Sequence, residues 1–185
     1  MAKSALVIVF PGVEDIETSV TVDLLRRAEV NVTTASLNDA STITMSKKTI
    51  ITPDAKLSDV ESKDFDAIIV PGGPGTFEIL ENAKLGALLK KYEAAGKIVA
   101  AICAAPLIFT VHGVGKDGTV TSYPGVRDKI VAAGYAYSDE KVVVSKNIVS
   151  SRGPATSFDF ALKLIELLKG KESADQVSKA ILYTH

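Results

Sequence analysis

Short, unbroken apolar runs recur along this chain, separated by amphipathic stretches, and that alternation restricts the fold more than any other feature. Residues 5–10, 66–70, 97–102 and 141–144 are each of strand length and, after the charged residue that opens each of the last three, carry no polar residue. A strand reads this way when both of its faces are covered, as in a parallel sheet. Residues 30–35 alternate but are rich in β-branched side chains, and make a fifth strand. Between them, residues 16–28 align Ile16, Val20, Leu24 and Leu25 along one helical stripe. Residues 83–95 do the same with Leu85, Leu88, Leu89 and Tyr92, and residues 156–169 with Phe160, Leu164, Ile165 and Leu168. Gly96 and Gly170 follow the last two stretches as helix stops. The order predicts an α/β sandwich on a mostly parallel sheet. Residues 42–51 and 119–122 read as shorter peripheral strands, with antiparallel pairing as one option. No repeat or linker divides the chain, so residues 1–185 are expected to form one domain.

Composition removes several classes of function. The net charge of -1 offers no electrostatic footprint for nucleic acid. A single cysteine excludes an internal disulfide and a CxxC centre, and two histidines, His112 and His185, argue against a histidine-based metal site. No apolar run approaches the ~20 residues of a membrane helix, and residues 1–10 read as a first strand rather than a signal peptide. A soluble, cytoplasmic protein is expected, with no metal, no organic cofactor, no membrane contact and no strong nucleic-acid binding.

The lone cysteine, Cys103, ends the apolar run 97–102 and opens the small-residue stretch Ala104, Ala105, Pro106. A strand turning sharply into a helix there puts the sulfur at the carboxyl end of the sheet, where amides and the helix dipole favour thiolate. The turn is like the nucleophile elbow of hydrolases, with cysteine in place of serine. Local sequence leaves open the alternative of a small buried hydrophobe.

Ligands of open α/β sheets bind outside the carboxyl ends of the strands, so the neighbouring loops decide between these readings. The first carries Glu14, Asp15 and Glu17 at a helix start. Glu14 and Asp15 suit the helix dipole, whereas Glu17 is spaced to point inward. A carboxyl buried beside a sulfur would keep its proton and either hydrogen-bond the sulfur or shuttle a proton. After the run 66–70 come Pro71, Gly72, Gly73, Pro74 and Gly75, a poor match to a dinucleotide fingerprint. The Gly73 and Ala104 N–H groups are better used as donors to an oxyanion on the species attacked by Cys103, though a plain turn also fits. Tyr123 is placed to reach the sulfur through its hydroxyl. Arg152 either holds an anion or forms a surface ion pair, and His112, late in the helix after Cys103, reads as structural.

Taken together, these segments resemble the ThiJ/PfpI family, in its parkinsonism-associated branch. The matching pieces are residues 3–8, 12–18, 22–28, 70–73, 100–106, 151–154 and 158–162. The resemblance implies a flavodoxin-like three-layer sandwich, a homodimer, Cys103 as the reactive thiol, Glu17 as its protonated partner, and Gly72, Gly73, Ala104 and Tyr123 around the substrate. It implies glutathione-independent glyoxalase activity giving D-lactate from methylglyoxal, removal of early glycation adducts, and stress sensing through cysteine sulfinate or a redox-dependent chaperone role. Family members occur in cytoplasm, nucleus or mitochondria. The partners implied are a small dicarbonyl or its adducts and a second copy of the chain. Three departures matter. Ala104 stands where protease-like members place histidine, which removes a Cys-His triad. Tyr123 stands where many relatives carry histidine, and Met45 and Thr52 stand where relatives carry peripheral cysteines.

Overall fold

A computed structural model describes residues 2–184. In chain order the elements are β1 (Ser4–Val9), α1 (Asp15–Arg27), β2 (Asn31–Ser36), β3 (Ile43–Thr44), β4 (Ile50–Ile51), β5 (Ala55–Lys56) and α2 (Leu57–Val60). They continue through β6 (Ala67–Val70), α3 (Thr76–Ile79), α4 (Ala83–Ala94), β7 (Ile98–Ile102), α5 (Pro106–His112), β8 (Thr119–Val120) and α6 (Arg127–Ala132). The last are β9 (Ala136–Tyr137), β10 (Val142–Ser145), β11 (Ile148–Ser151), α7 (Ser157–Lys169) and α8 (Lys171–Ala180). The main sheet runs β10-β11-β7-β6-β1-β2-β5, parallel except for β10. One face is covered by α1, α7 and α8, the other by α4, α5 and α6, which gives the three-layer α/β sandwich of the flavodoxin type.

The apolar runs become the middle of this sheet because neither face meets water. Every residue of β6 and all but the first of β1 and β7 are buried. From β1 the chain winds outward to β2 and β5, then returns to β6 on the other side and continues to β7 and β11. The reversal lies between β1 and β6, so their carboxyl ends splay apart and leave a crevice. In register, Val70 sits beside Ala101, which carries Gly72 and Cys103 past the strand ends as neighbours.

Two expectations are corrected. The run 141–144 is not a buried parallel strand: β10 is a half-exposed antiparallel edge. The buried strand there is β11, whose Ser150 and Ser151 hide it from a hydrophobicity pattern. Those serines are tolerated because Ser150 Oγ accepts the Thr121 N–H (2.9 Å) and Ser151 Oγ donates to Lys141 O (2.7 Å). In α1, Ile16 is 49% exposed, and the inward face is Glu17, Thr18, Thr21, Leu24 and Leu25. The helix is rotated by its first turn, where Asp15 Oδ2 accepts Ser46 Oγ (3.0 Å) and the Lys47 N–H (2.8 Å). That tie holds the β3–β4 hairpin to α1. The hairpin is antiparallel, whereas β8 pairs in parallel with β9.

His112 is structural. Its Nε2 lies 2.9 Å from Leu80 O, and its ring fills the space above Gly86 in α4, where an added Cβ would stand 2.1 Å from Nδ1. In a free helix Gly→Ala stabilises by about 1 kcal/mol. Here we expect Gly86→Ala to destabilise by about 1–3 kcal/mol, as overpacking does, and a second change, His112→Ala, to recover part of the loss. Urea unfolding of wild type and the two variants decides it: a more stable Gly86→Ala would show that the ring does not hold α4 and α5 together.

Candidate active site

Cys103 follows β7 directly and occupies the left-handed region, with φ of 64°. For a non-glycine residue this conformation persists only where neighbours enforce it. Here the Cys103 N–H donates to Ser151 O (3.0 Å) on β11, and the Tyr123 N–H donates to Cys103 O (2.7 Å). The elbow is therefore clamped on both sides, and Pro106 starts α5 three residues on. The residue is 8% exposed.

The other loops close around it. Glu14 caps α1 by accepting the Glu17 N–H (2.9 Å), which aims the Glu17 side chain under the crevice, where it is fully buried. One oxygen, Oε2, accepts the Gly72 N–H (2.8 Å). The other, Oε1, meets no nitrogen or oxygen donor among the described residues. The carboxyl's remaining polar neighbour is the Cys103 thiol, with which it interacts. The Gly72 N–H is thus spent on Glu17 and does not face the cleft, where the resemblance placed this residue beside the substrate. Its lack of a side chain matters nonetheless: a Cβ there would lie 2.7 Å from that of Cys103. Gly73, at φ of 105°, packs so closely that a Cβ would sit 2.6 Å from Gly12 O. This turn sends the Gly73 N–H toward the sulfur, and the Ala104 N–H converges on it from the helix side.

Burial pushes the Glu17 carboxyl up to about 7, against the opposing Gly72 and Cys103 hydrogen bonds. Burial likewise pushes the Cys103 thiol up to about 12, helped by the charge and hydrogen bond of Glu17 and opposed by the Gly73 and Ala104 amides. Beside an ionised Glu17 the sulfur therefore keeps its proton. The two groups share one buried space, so the pair loses its first proton near neutrality and resists losing the second.

The sulfur floors a cleft of about 370 Å³ whose walls include Glu14, Lys47, Gly73, Phe77, Ala104 and Tyr123. Cys103, Glu17, Gly73, Ala104 and Tyr123 are therefore brought together. Arg152 lies elsewhere, with Nη1 bonded to Asp139 O (2.7 Å). Lys47, Phe77 and Val126 are cleft residues that sequence reasoning missed. Links from the hairpin to Asp15, Val13 and Gly12, invisible without coordinates, bring Lys47 in. A larger groove of about 620 Å³, lined by Arg27, Lys169 and Glu172, carries no cysteine. Among the described residues no three His, Cys, Asp or Glu side chains gather as a metal site would need, and His185 lies outside them. No described helix is long and apolar enough to cross a membrane.

Glu17 also imprints a pH dependence on stability. Folded, it holds its proton up to about 7; unfolded, it releases it near the ordinary 4.5. Between those values the folded state binds the extra proton, so this contribution is intact below about 4.5 and is lost as pH rises through about 7. The total is about 3 kcal/mol. Urea midpoints measured from about pH 5 to about pH 8 should fall more steeply for wild type than for Glu17→Gln. Equal slopes would mean that the Glu17–Cys103 pair holds no extra proton in this window.

The sequence profile of the DJ-1/PfpI family matches residues 3–167. The chain is similar to protein dj-1beta of Drosophila melanogaster, 42% identical with both chains covered in full, and the crystal structure of that protein superimposes with a TM-score of 0.97. Glutathione-independent glyoxalase DJR-1.2 of Caenorhabditis elegans is 39% identical, over 97% of this chain and 96% of its own. The structure of oxidized DJ-1 from Toxoplasma gondii matches with a TM-score of 0.94 at 36% identity, both chains being covered in full. With the profile spanning most of the chain and whole-length relatives well above 30% identity, the protein belongs to the DJ-1/PfpI family.

Proposed function

We propose that this protein converts methylglyoxal to lactate without glutathione, and releases early glycation adducts by the same opening step, with Cys103 as nucleophile and Glu17 as proton carrier. The observation that carries this reading is the contact between a buried carboxyl and a buried thiol, with two backbone amides aimed at the sulfur on the floor of a small cleft. The Caenorhabditis elegans relative bears that activity in its name, which supports it.

In this reading Glu17 keeps the shared proton and the charge sits on sulfur. The repulsion that raises the thiol is then absent, while both amides remain. The sulfur adds to the aldehyde carbon of methylglyoxal, and the carbonyl electron pair moves to oxygen, held by the Gly73 and Ala104 N–H groups. Glu17 gives that oxygen its proton, then as carboxylate removes the hydrogen on the same carbon and returns it to the adjacent one, while the hydroxyl proton passes from the first oxygen to the second through the enediol. The former aldehyde carbon is oxidised to a thioester and the former ketone is reduced to an alcohol by the same electron pair. Water cleaves the thioester, lactate leaves, and the thiol is restored. Every atom comes from methylglyoxal and one water, so no cofactor is required.

A second reading, in which Cys103 is a redox sensor, has a specific support: the Toxoplasma gondii relative is described as oxidized. Peroxide would take the sulfur to sulfinate in two steps, and a protonated Glu17 would donate a hydrogen bond to the product. A homodimer belongs to the same proposal. Ile16, half-exposed on α1, offers it an apolar contact, and light scattering distinguishes one 19.5 kDa chain from two.

Lactate formation from methylglyoxal is expected for wild type and should drop at least about a hundred-fold in Cys103→Ser and Glu17→Gln, the lower range for loss of a general acid–base group. A wild type that forms no lactate, yet yields Cys103 sulfinate quickly with dilute peroxide, would favour the sensor. Alkylation of Cys103 by iodoacetamide should inflect at or below about pH 7; an inflection at the ordinary thiol value of about 8.5 or higher would place the charge on Glu17 instead.

A further inference from the structure

We propose that Phe77 and Tyr123 form an aromatic mouth over Cys103, which makes the cleft selective for α-oxoaldehydes carrying a planar, aryl-sized group over methylglyoxal. The inference deepens the glyoxalase reading and rests on it for turnover, though not for binding.

Phe77 on α3 is 48% exposed and Tyr123 is 51% exposed, and both line the cleft that ends at the sulfur. A single exposed aromatic is ordinary, but two at one cleft are a binding feature. Both rings are held in place. Lys129 Nζ lies 5.7 Å from the centroid of the Phe77 ring. Tyr123 is anchored one hydrogen bond from the nucleophile, through its N–H to Cys103 O. Its ring uses space left by one missing side chain, since a Cβ on Gly125 would lie 3.1 Å from Cε1; on the other edge a Cβ on Gly153 would make ordinary contact, 3.7 Å from Cδ2. Walls already fixed in place lose little freedom when a ligand arrives.

The rest of the mouth agrees. Pro74, Val126 and Pro154 add apolar surface. The methyl group of methylglyoxal is too small to fill a cleft of about 370 Å³ or to touch both rings. A phenyl group attached to the same dicarbonyl would reach them while its aldehyde carbon stood at the sulfur. Each well-placed aromatic contact strengthens binding about two- to ten-fold beyond simple burial. The chemistry is unchanged: phenylglyoxal and one water give mandelate, the aldehyde carbon being oxidised and the ketone reduced.

The test compares kcat/KM for phenylglyoxal and methylglyoxal in wild type, Phe77→Ala, Phe77→Tyr and Tyr123→Ala. Wild type should prefer phenylglyoxal by about ten-fold or more. That ratio should collapse in Phe77→Ala and Tyr123→Ala through KM, and survive in Phe77→Tyr. In parallel, the unreactive Cys103→Ala chain is titrated with mandelate and with lactate, and should bind mandelate more tightly only while Phe77 is present. Equal kcat/KM for both aldehydes, or equal binding of both acids, overturns the aromatic mouth and leaves the glyoxalase reading standing. No turnover of either aldehyde, with Phe77-dependent mandelate binding intact, overturns the glyoxalase reading and leaves the mouth.

Discussion

The hydrogen bond from the Gly72 N–H to Glu17 Oε2 joins the loop after β6 to the first turn of α1, and the site is organised around it. The link is reciprocal, since the Glu14 N–H donates to Gly72 O (2.9 Å). Two loops from opposite sides of the strand-order reversal are thus fastened back to back, directly beneath the elbow that carries Cys103. Without it, a carboxyl would be buried with neither oxygen satisfied, a burden of several kcal/mol in an apolar setting. The bond therefore stabilises the fold and selects the one place where Glu17 can be kept close to a sulfur.

Acid–base behaviour then follows from burial more than from any partner. Both titratable groups are withdrawn from water; an ionised Glu17 raises the thiol, whereas the thiol's hydrogen bond favours the carboxylate. A single negative charge can be accommodated, because three backbone amides face the pair: Gly72 toward oxygen, Gly73 and Ala104 toward sulfur. Two charges cannot. The site is thus built to hold one proton between two atoms, an arrangement suited to moving hydrogen between adjacent carbons and to stabilising an oxidised sulfur acid.

Much of this was legible in the residues, and the exceptions have physical causes. The central strands could be read because both faces are covered, and the Cys103 elbow because small residues must surround so cramped a turn. β11 could not, since its serines are satisfied by loops distant in sequence. The phase of α1 misled for a related reason: Ile16 fits the apolar stripe, but Asp15 and Glu14 fix the helix rotation through polar contacts and turn Glu17 inward. The resemblance sets Gly72 beside Gly73 at the substrate, and nothing local tells which N–H faces a carboxyl and which faces the cleft. Phe77 and Lys47 lie on segments whose approach to the sulfur depends on the whole topology.

The tie between Asp15 and the β3–β4 hairpin bears on what can reach the sulfur. Because Ser46 and Lys47 border the cleft and are fastened to the same helix that presents Glu17, this wall cannot swing aside without disturbing the carboxyl. A bulky visitor is therefore admitted only as far as a slender appendage can thread inward. Free metabolites and modifications at the tips of long side chains satisfy that geometry, while lesions pressed flat against a folded surface do not.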